Sequence, residues 1–175
     1  MKRVVLTGSE STGKTTLAAR LAVHYGVEWV PEFVREYAVR KSAPLDFDDH
    51  GPIARGQLEV EDAYRRRAEL RGDGLLIGDT DLLSTVVYCA HYFGRCPPWI
   101  EEAARARQPD LYLLLDIDIP WLPDPVRDRG ESREEMQALF RDAVERSGVP
   151  FLLIAGTEQM RFERAVMAVD SLLRR

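Results

Sequence analysis

A parallel sheet of five short strands, wrapped by helices on both faces in an α/β fold, is predicted by three features of this sequence. Short apolar runs recur without the polar alternation of strands that are exposed on one face. Segments with apolar residues at helical spacing separate them. The length of 175 residues fits one domain, residues 1–175, with room for a substantial core.

The elements follow in order. Val4-Val5-Leu6 reads as a buried strand that runs straight into a glycine turn. From Lys14, the spacing of Leu17 and Leu21 with Ala18 and Ala22 predicts a helix, and Gly26 suits its exit. Val27 to Val30 reads as the second strand, stopped by Pro31. The alternation continues through Glu32 to Lys41 and a long polar helix from His50 to Arg71, with Ile53, Gln57, Val60 and Tyr64 on one face. Gly72-Asp73-Gly74 ends it. Leu75 to Gly78 is the third strand, delivering Asp79-Thr80-Asp81 at its carboxyl end before a helix from Leu82 to Phe93. Leu111 to Leu115 and Phe151 to Ile154 are the fourth and fifth strands, and a helix from about Arg161 to Leu173 closes the chain. Three prolines between Ile119 and Pro125 forbid a helix or central strand and predict an exposed functional loop.

Composition excludes several classes of function. With 45% apolar and 30% charged residues the chain is neither disordered nor low-complexity. A net charge of -5 argues against nucleic-acid binding through a broad basic surface, while leaving a local anion site open. No run approaches the roughly 18 consecutive apolar residues of a membrane span, so no membrane insertion is expected. Cys89 and Cys96 read as plain thiols, and the start of the chain lacks the pattern of a signal peptide; a cytoplasmic location is expected. His24, His50 and His91 have no metal-ligand spacing.

Gly8, Ser9, Glu10, Ser11, Thr12, Gly13, Lys14 and Thr15 fill every position of G-x-x-x-x-G-K-[ST], between a predicted strand and a predicted helix. Such a loop turns backbone N–H groups inward around phosphate oxygens, and the helix that follows points its positive end at the same anion. A nucleoside triphosphate is therefore the expected ligand, with the choice between ATP and GTP left open by the loop itself. Lys14 supplies a charge to the β and γ phosphates, Thr15 a hydroxyl ligand for Mg²⁺, and Thr16 reaches toward the α phosphate. Asp79, at the end of an apolar strand, is the expected carboxylate beside the metal. Asp81 is the better-placed N-cap for the helix at Leu82, though a role in the site stays open. Glu32 and Arg35 follow the second strand, where an acceptor would lie; they act on it or simply pair with each other. Arg127, Arg129 and Arg133, interleaved with Asp124 and Asp128, form either a lid over the triphosphate or a solvated charged loop.

The phosphate loop, Glu32-Phe33-Val34-Arg35-Glu36-Tyr37, Gln57, Asp79-Thr80-Asp81, Tyr92-Phe93-Gly94 and Trp121-Leu122-Pro123-Asp124-Pro125-Val126-Arg127 occur in an order that resembles the ribosylnicotinamide kinase domain of bacterial bifunctional NAD-salvage proteins. Two positions depart from that pattern: Val30-Pro31 precedes the glutamate where those proteins carry Trp, and Pro125 stands in place of a lid glycine. The resemblance implies a P-loop NTPase fold with strand order 2-3-1-4-5 and a lid around residues 119–133. It implies transfer of the ATP γ-phosphate to the ribose 5′-hydroxyl of nicotinamide riboside. Lys14, Asp79, Glu32 and Arg127 would then be catalytic, with Glu32, Arg35, Asp81, Tyr37 and Gln57 around the substrate. Asp79 would hold magnesium, Glu32 take or orient the hydroxyl proton, and Asp81 hold the ribose diol, with the last two roles open to exchange. An aromatic face for the pyridinium would come from Trp29, Tyr37, Tyr88, Tyr92 or Trp121. Gly156-Thr157 is the candidate for adenine selection. The length leaves no room for the other activities of the bifunctional proteins. Another small-molecule or nucleoside kinase, or a nucleotide-driven regulatory binding module, fits the same motifs.

Overall fold

The computed structural model describes residues 1–120 and 133–174. Five strands form one all-parallel sheet: β1 (Lys2–Thr7), β2 (Trp29–Val30), β3 (Leu75–Asp79), β4 (Leu111–Leu115) and β5 (Phe151–Ile154). Their order is β2-β3-β1-β4-β5. Seven described helices connect or cover them: α1 (Lys14–Tyr25), α2 (Phe33–Lys41), α3 (His50–Arg71), α4 (Leu82–Phe93), α5 (Pro98–Ala106), α6 (Arg133–Ser147) and α7 (Glu158–Leu173). The P-loop NTPase fold and its strand order agree with the sequence reading.

The pleat of the sheet sorts its side chains between two layers. Val4, Leu6, Ile77, Leu113 and Leu115 face α1 and α7, whereas Val5, Tyr112 and Leu114 pack against α6 and its surroundings. Val30 and Leu76 meet Ala68 of α3 on that second side. Full burial of such a side chain contributes roughly 1.5–3 kcal/mol, so a sheet covered on both faces is the principal source of stability. This arrangement also brings the carboxyl ends of β1, β2 and β3 together at one edge, where ligands collect in open parallel sheets.

Three boundaries differ from the sequence reading, each for a local reason. The second strand is only Trp29–Val30, because the Val27 N–H is taken by the Ala22 carbonyl at 3.0 Å as α1 closes through left-handed Gly26. The last helix begins at Glu158 rather than near Arg161, capped by the Thr157 hydroxyl, which accepts from Met160 N–H. Helix α5 was not expected; Pro98 in its first turn is a start signal rather than a break, and Ile100 anchors it in the core. Both cysteines are unpaired thiols, and burial together with Cys89 pushes the Cys96 thiol up to about 12. Among the described residues, no helix is long and apolar enough to cross a membrane.

Candidate active site

The phosphate loop occupies the turn between β1 and α1. At its root Gly8 has φ +128°, and a Cβ there would lie 2.8 Å from the Leu115 carbonyl oxygen. Only glycine meets both demands. Thr12 donates its hydroxyl to the Ser9 carbonyl at 2.9 Å, and Lys14 Nζ donates to the carbonyls of Gly8 at 3.0 Å and Ser9 at 2.6 Å. Lys14 is thus held inside the arc of the loop, where a phosphate would compete with those carbonyls for its charge.

Across from the loop, Thr15 Oγ1 donates to Asp79 Oδ2 at 2.6 Å. The other carboxylate oxygen, Asp79 Oδ1, is buried and has no hydrogen-bond partner among the described residues. Burial and the neighbouring Glu32 carboxylate raise the Asp79 pKa, opposed by Lys14 and the Thr15 bond. A buried orphaned oxygen next to a hydroxyl, with a second carboxylate nearby, is a hard-oxygen donor set that fits magnesium.

Glu32 stands at the N-cap position of α2 and is buried, yet its carboxylate makes no cap bond. The Gln57 amide oxygen caps the helix instead, accepting from Phe33 N–H at 2.9 Å. This leaves the Glu32 carboxylate turned to the site, where Oε2 accepts from Arg35 Nε at 3.0 Å. Gly56 makes the arrangement possible: a Cβ there would lie 2.1 Å from the Phe33 ring, so α2 reaches α3 only because position 56 has none.

Asp79, which ends β3, and Asp81, two residues on, point in different directions because Thr80 between them adopts a left-handed φ of 67° while its N–H stays on the Leu6 carbonyl. Asp79 turns to the loop. Asp81 turns inward, where Oδ1 accepts from Leu83 N–H at 3.0 Å and Oδ2 from the Tyr112 hydroxyl at 2.8 Å, with Arg3 Nη2 at 4.0 Å. Arg3 also meets Glu61 at 3.1 Å, and Glu61 accepts from Gln57 Nε2 at 3.4 Å. Two buried carboxylates therefore share one guanidinium. Burial raises the Glu61 carboxyl to about 7 despite Arg3, and it raises Asp81 as well.

A small hollow of about 40 Å³ lies between these groups, lined by Glu32, Gln57, Thr80, Asp81 and Tyr88 among others. Larger depressions, such as the 540 Å³ groove between α4, α5 and α6, lie apart from the phosphate loop. Of the predicted substrate residues, Glu32, Asp81 and Gln57 meet at the hollow. Tyr37 does not: its hydroxyl donates to Asp49 at 2.7 Å beside Lys41, on the side of α2 facing the short turn at Phe47–Asp49. That hydrogen bond holds the Tyr37 hydroxyl away from the hollow where the other three meet. Among the described aromatic candidates, Tyr88 lines the hollow, stacked on Tyr92, and Trp29 packs on the core. Trp121, Asp124, Arg127, Asp128 and Arg129 fall outside the described residues. Arg133 reaches the phosphate loop, donating to the Ser11 carbonyl at 3.4 Å and to Ile119 at 3.2 Å.

Sequence reasoning missed Arg161. Its buried guanidinium donates to Thr12 O of the phosphate loop at 2.7 Å, Gly156 O at 2.9 Å and Asp116 O at 2.9 Å, and it pairs with Asp118. Asp118 in turn accepts from Gly156 N–H at 2.5 Å. One side chain thus ties the phosphate loop to the segments after β4 and β5. The signal available was a basic residue in the first turn of a helix, where the helix dipole disfavours positive charge. Gln137 is a second brace, donating to Leu115 O at 2.9 Å while its amide oxygen faces Ser9 N–H at 3.4 Å.

A family model described as "AAA domain" matches residues 3–161. The chain belongs to that family. It is also similar to the trifunctional NAD biosynthesis/regulator protein NadR of Escherichia coli, at 28% identity, and of Salmonella typhimurium, at 27%, in each case over 99% of this chain and 43% of the relative. Among solved structures, NadR protein in complex with NR aligns with a TM-score of 0.80 at 28% identity, over 97% of this chain and 51% of that one. A NadR complex with NAD and AMP-PNP aligns at 0.78 and 26%, over 99% and 50%. The chain therefore spans about half the length of these relatives or less. Thymidylate kinase from Ehrlichia chaffeensis, at 15% identity and a TM-score of 0.71 over 96% of this chain and 98% of that one, shares the fold. The resemblance to bacterial NAD-salvage proteins is borne out by these matches.

Proposed function

We propose that this protein is an ATP-dependent kinase that phosphorylates the ribose 5′-hydroxyl of nicotinamide riboside, giving nicotinamide mononucleotide and ADP. The observation that carries this reading is the meeting, at the ends of β1, β2 and β3, of a complete phosphate loop, the Thr15–Asp79 pair and a buried Glu32 beside a hollow. The similarity to NadR, solved with NR and with AMP-PNP, supports the choice of both substrates.

The loop N–H groups and Lys14 cradle the β and γ phosphates and stabilise charge that develops during transfer. Thr15 and Asp79 hold magnesium, which when bound neutralises phosphate charge. Glu32 orients the 5′-hydroxyl and accepts its proton as the oxygen bonds to the γ phosphorus and the bond to the β-bridging oxygen breaks, releasing ADP. Alignment matters more than base strength for so loose a transition state. Arg127, in the lid that the sequence predicts, is the candidate to meet the transferring phosphoryl group.

Purified protein with Mg-ATP should phosphorylate nicotinamide riboside with a kcat/KM at least about tenfold above that for adenosine, cytidine, uridine or thiamine. A flat profile, or a winner elsewhere in that panel, would reject the acceptor and leave a kinase of another substrate. Hydrolysis unaffected by any acceptor would reject the transferase.

A further inference from the structure

We propose that Ser84, in the first turn of α4, receives a secondary hydroxyl of the acceptor's sugar, through the juxtaposition of its buried, unpartnered Oγ with the hollow that Glu32 and Thr80 also line. The inference rests on the kinase reading and deepens it by naming a residue that selects an acceptor with a sugar diol.

Ser84 is only 5% exposed, and its Oγ has no hydrogen-bond partner among the described residues. A serine inside a helix ordinarily turns to solvent or bonds the carbonyl four residues back. Ser84 does neither. A buried hydroxyl left unsatisfied is destabilising, and such groups are rare enough in folded proteins to need a reason. The hollow supplies one, since Ser84 lines it.

Two of the other polar side chains around that space are already engaged. Asp81 accepts from Leu83 N–H and the Tyr112 hydroxyl, one on each oxygen. Gln57 caps α2 with its oxygen and reaches Glu61 with its nitrogen. The diol role expected of Asp81 therefore passes to a neighbour one turn along the helix. A serine hydroxyl both donates and accepts, which matches a sugar hydroxyl better than a carboxylate does.

The order of groups along the chain fits a riboside. Asp79 ends β3 beside the phosphate loop, Ser84 lies in the first turn of α4, and Tyr88 stands one turn further on the same face. With the 5′-hydroxyl between Asp79 and Glu32, the sugar would lie over Ser84 and the base toward Tyr88. The hollow, about 40 Å³, has room for one or two hydroxyl groups and not for a base.

The test compares wild type with Ser84→Ala on nicotinamide riboside and on its 2′-deoxy and 3′-deoxy analogues. Ser84→Ala should raise the riboside KM by about tenfold, change kcat and the ATP KM by less than about twofold, and leave Tm equal to wild type or higher. Wild type should discriminate against one deoxy analogue, and the variant should lose that discrimination. A riboside KM within twofold of wild type, discrimination that survives the substitution, or a joint fall in Tm and ATP affinity overturns the role of Ser84. If wild type prefers a different riboside, the nicotinamide reading fails alone and the same comparison on that riboside decides Ser84. Preference for an acceptor without a sugar, or no acceptor at all, overturns Ser84 as well.

Discussion

The nucleotide side of the site and its acceptor side are built on different principles. On the nucleotide side the groups that would meet the ligand are chiefly backbone amides, shaped by glycines at fixed positions and braced from outside by Arg161, Gln137 and Arg133. On the acceptor side they are side chains, and their directions depend on a buried polar chain that runs from Arg3 through Glu61 and Gln57 to the start of α2, and from Arg3 through Asp81 to Tyr112. A backbone cradle tolerates change in its surroundings as long as its glycines stay. A side-chain pocket is only as well placed as the network behind it.

The largest effect on turnover should come from Lys14→Ala, with kcat down by about 10³-fold and far-UV circular dichroism unchanged. Turnover above a tenth of wild type would remove the phosphate loop from the mechanism and with it one half of the contrast. Next is Glu32→Gln, for which kcat should fall by about 10²-fold at nearly constant riboside KM. Asp81→Asn offers the counterpart on the same side: it should lower stability by about 2 kcal/mol or more in chemical denaturation, because it disturbs the α4 cap, the Tyr112 bond and the Arg3 pair together. If instead Asp81→Asn loses kcat at full stability while Glu32→Gln behaves as wild type, the two carboxylates exchange roles and Glu32 belongs to its pairing with Arg35.

Arg161→Ala sharpens the comparison from the nucleotide side. It should raise the ATP KM by about tenfold, leave the riboside KM alone, and be partly rescued by Arg161→Lys. A loss of Tm with no split between the two KM values would make Arg161 a purely structural brace. The smallest effect on turnover is expected at Glu61. Its carboxyl lies at about 7 in the fold against 4.5 in the unfolded chain, so the native state holds the extra proton between those values. The stability this group contributes should therefore be greatest below about 4.5, decline as pH rises to about 7 by on the order of 3 kcal/mol, and level off above. Glu61→Gln should reduce that slope, read from denaturation midpoints across the range, leaving the part that belongs to the buried Asp79 and Asp81; a slope equal to that of wild type would assign it to other groups.

The difference between the two sides also governs how much was readable before the structure. Gly8 to Thr15 needed no tertiary information, because the conformation that binds phosphate is written in adjacent residues and their backbone preferences. The bounds of α3, β4 and β5 were readable for the same reason: apolar spacing and flanking glycines act locally. Tyr37 shows the limit. It lies within the same short block as Glu32 and Arg35, yet the Asp49 carboxylate, reached through a separate turn, claims its hydroxyl. Arg161 and Ser84 were missed for a related reason, since nothing adjacent in sequence distinguishes an arginine that reaches back to Thr12 or a serine whose helix leaves it facing a hollow.

The amino-acid sequence by itself determined the layered α/β fold and the phosphate loop, since hydrophobic periodicity and glycine positions act through neighbouring residues. The strand order came from likeness to a family rather than from any local signal. Tertiary structure alone decided which carboxylates lie toward the phosphate loop and which are tied into the core: Thr80 turns Asp79 and Asp81 apart, Gln57 takes over the α2 cap in place of Glu32, and Arg3, from the first strand, draws Asp81 and Glu61 inward. The direction of a charged side chain is set by where a partner of opposite charge or a hydrogen-bonding group is buried, and those partners meet only when distant segments pack.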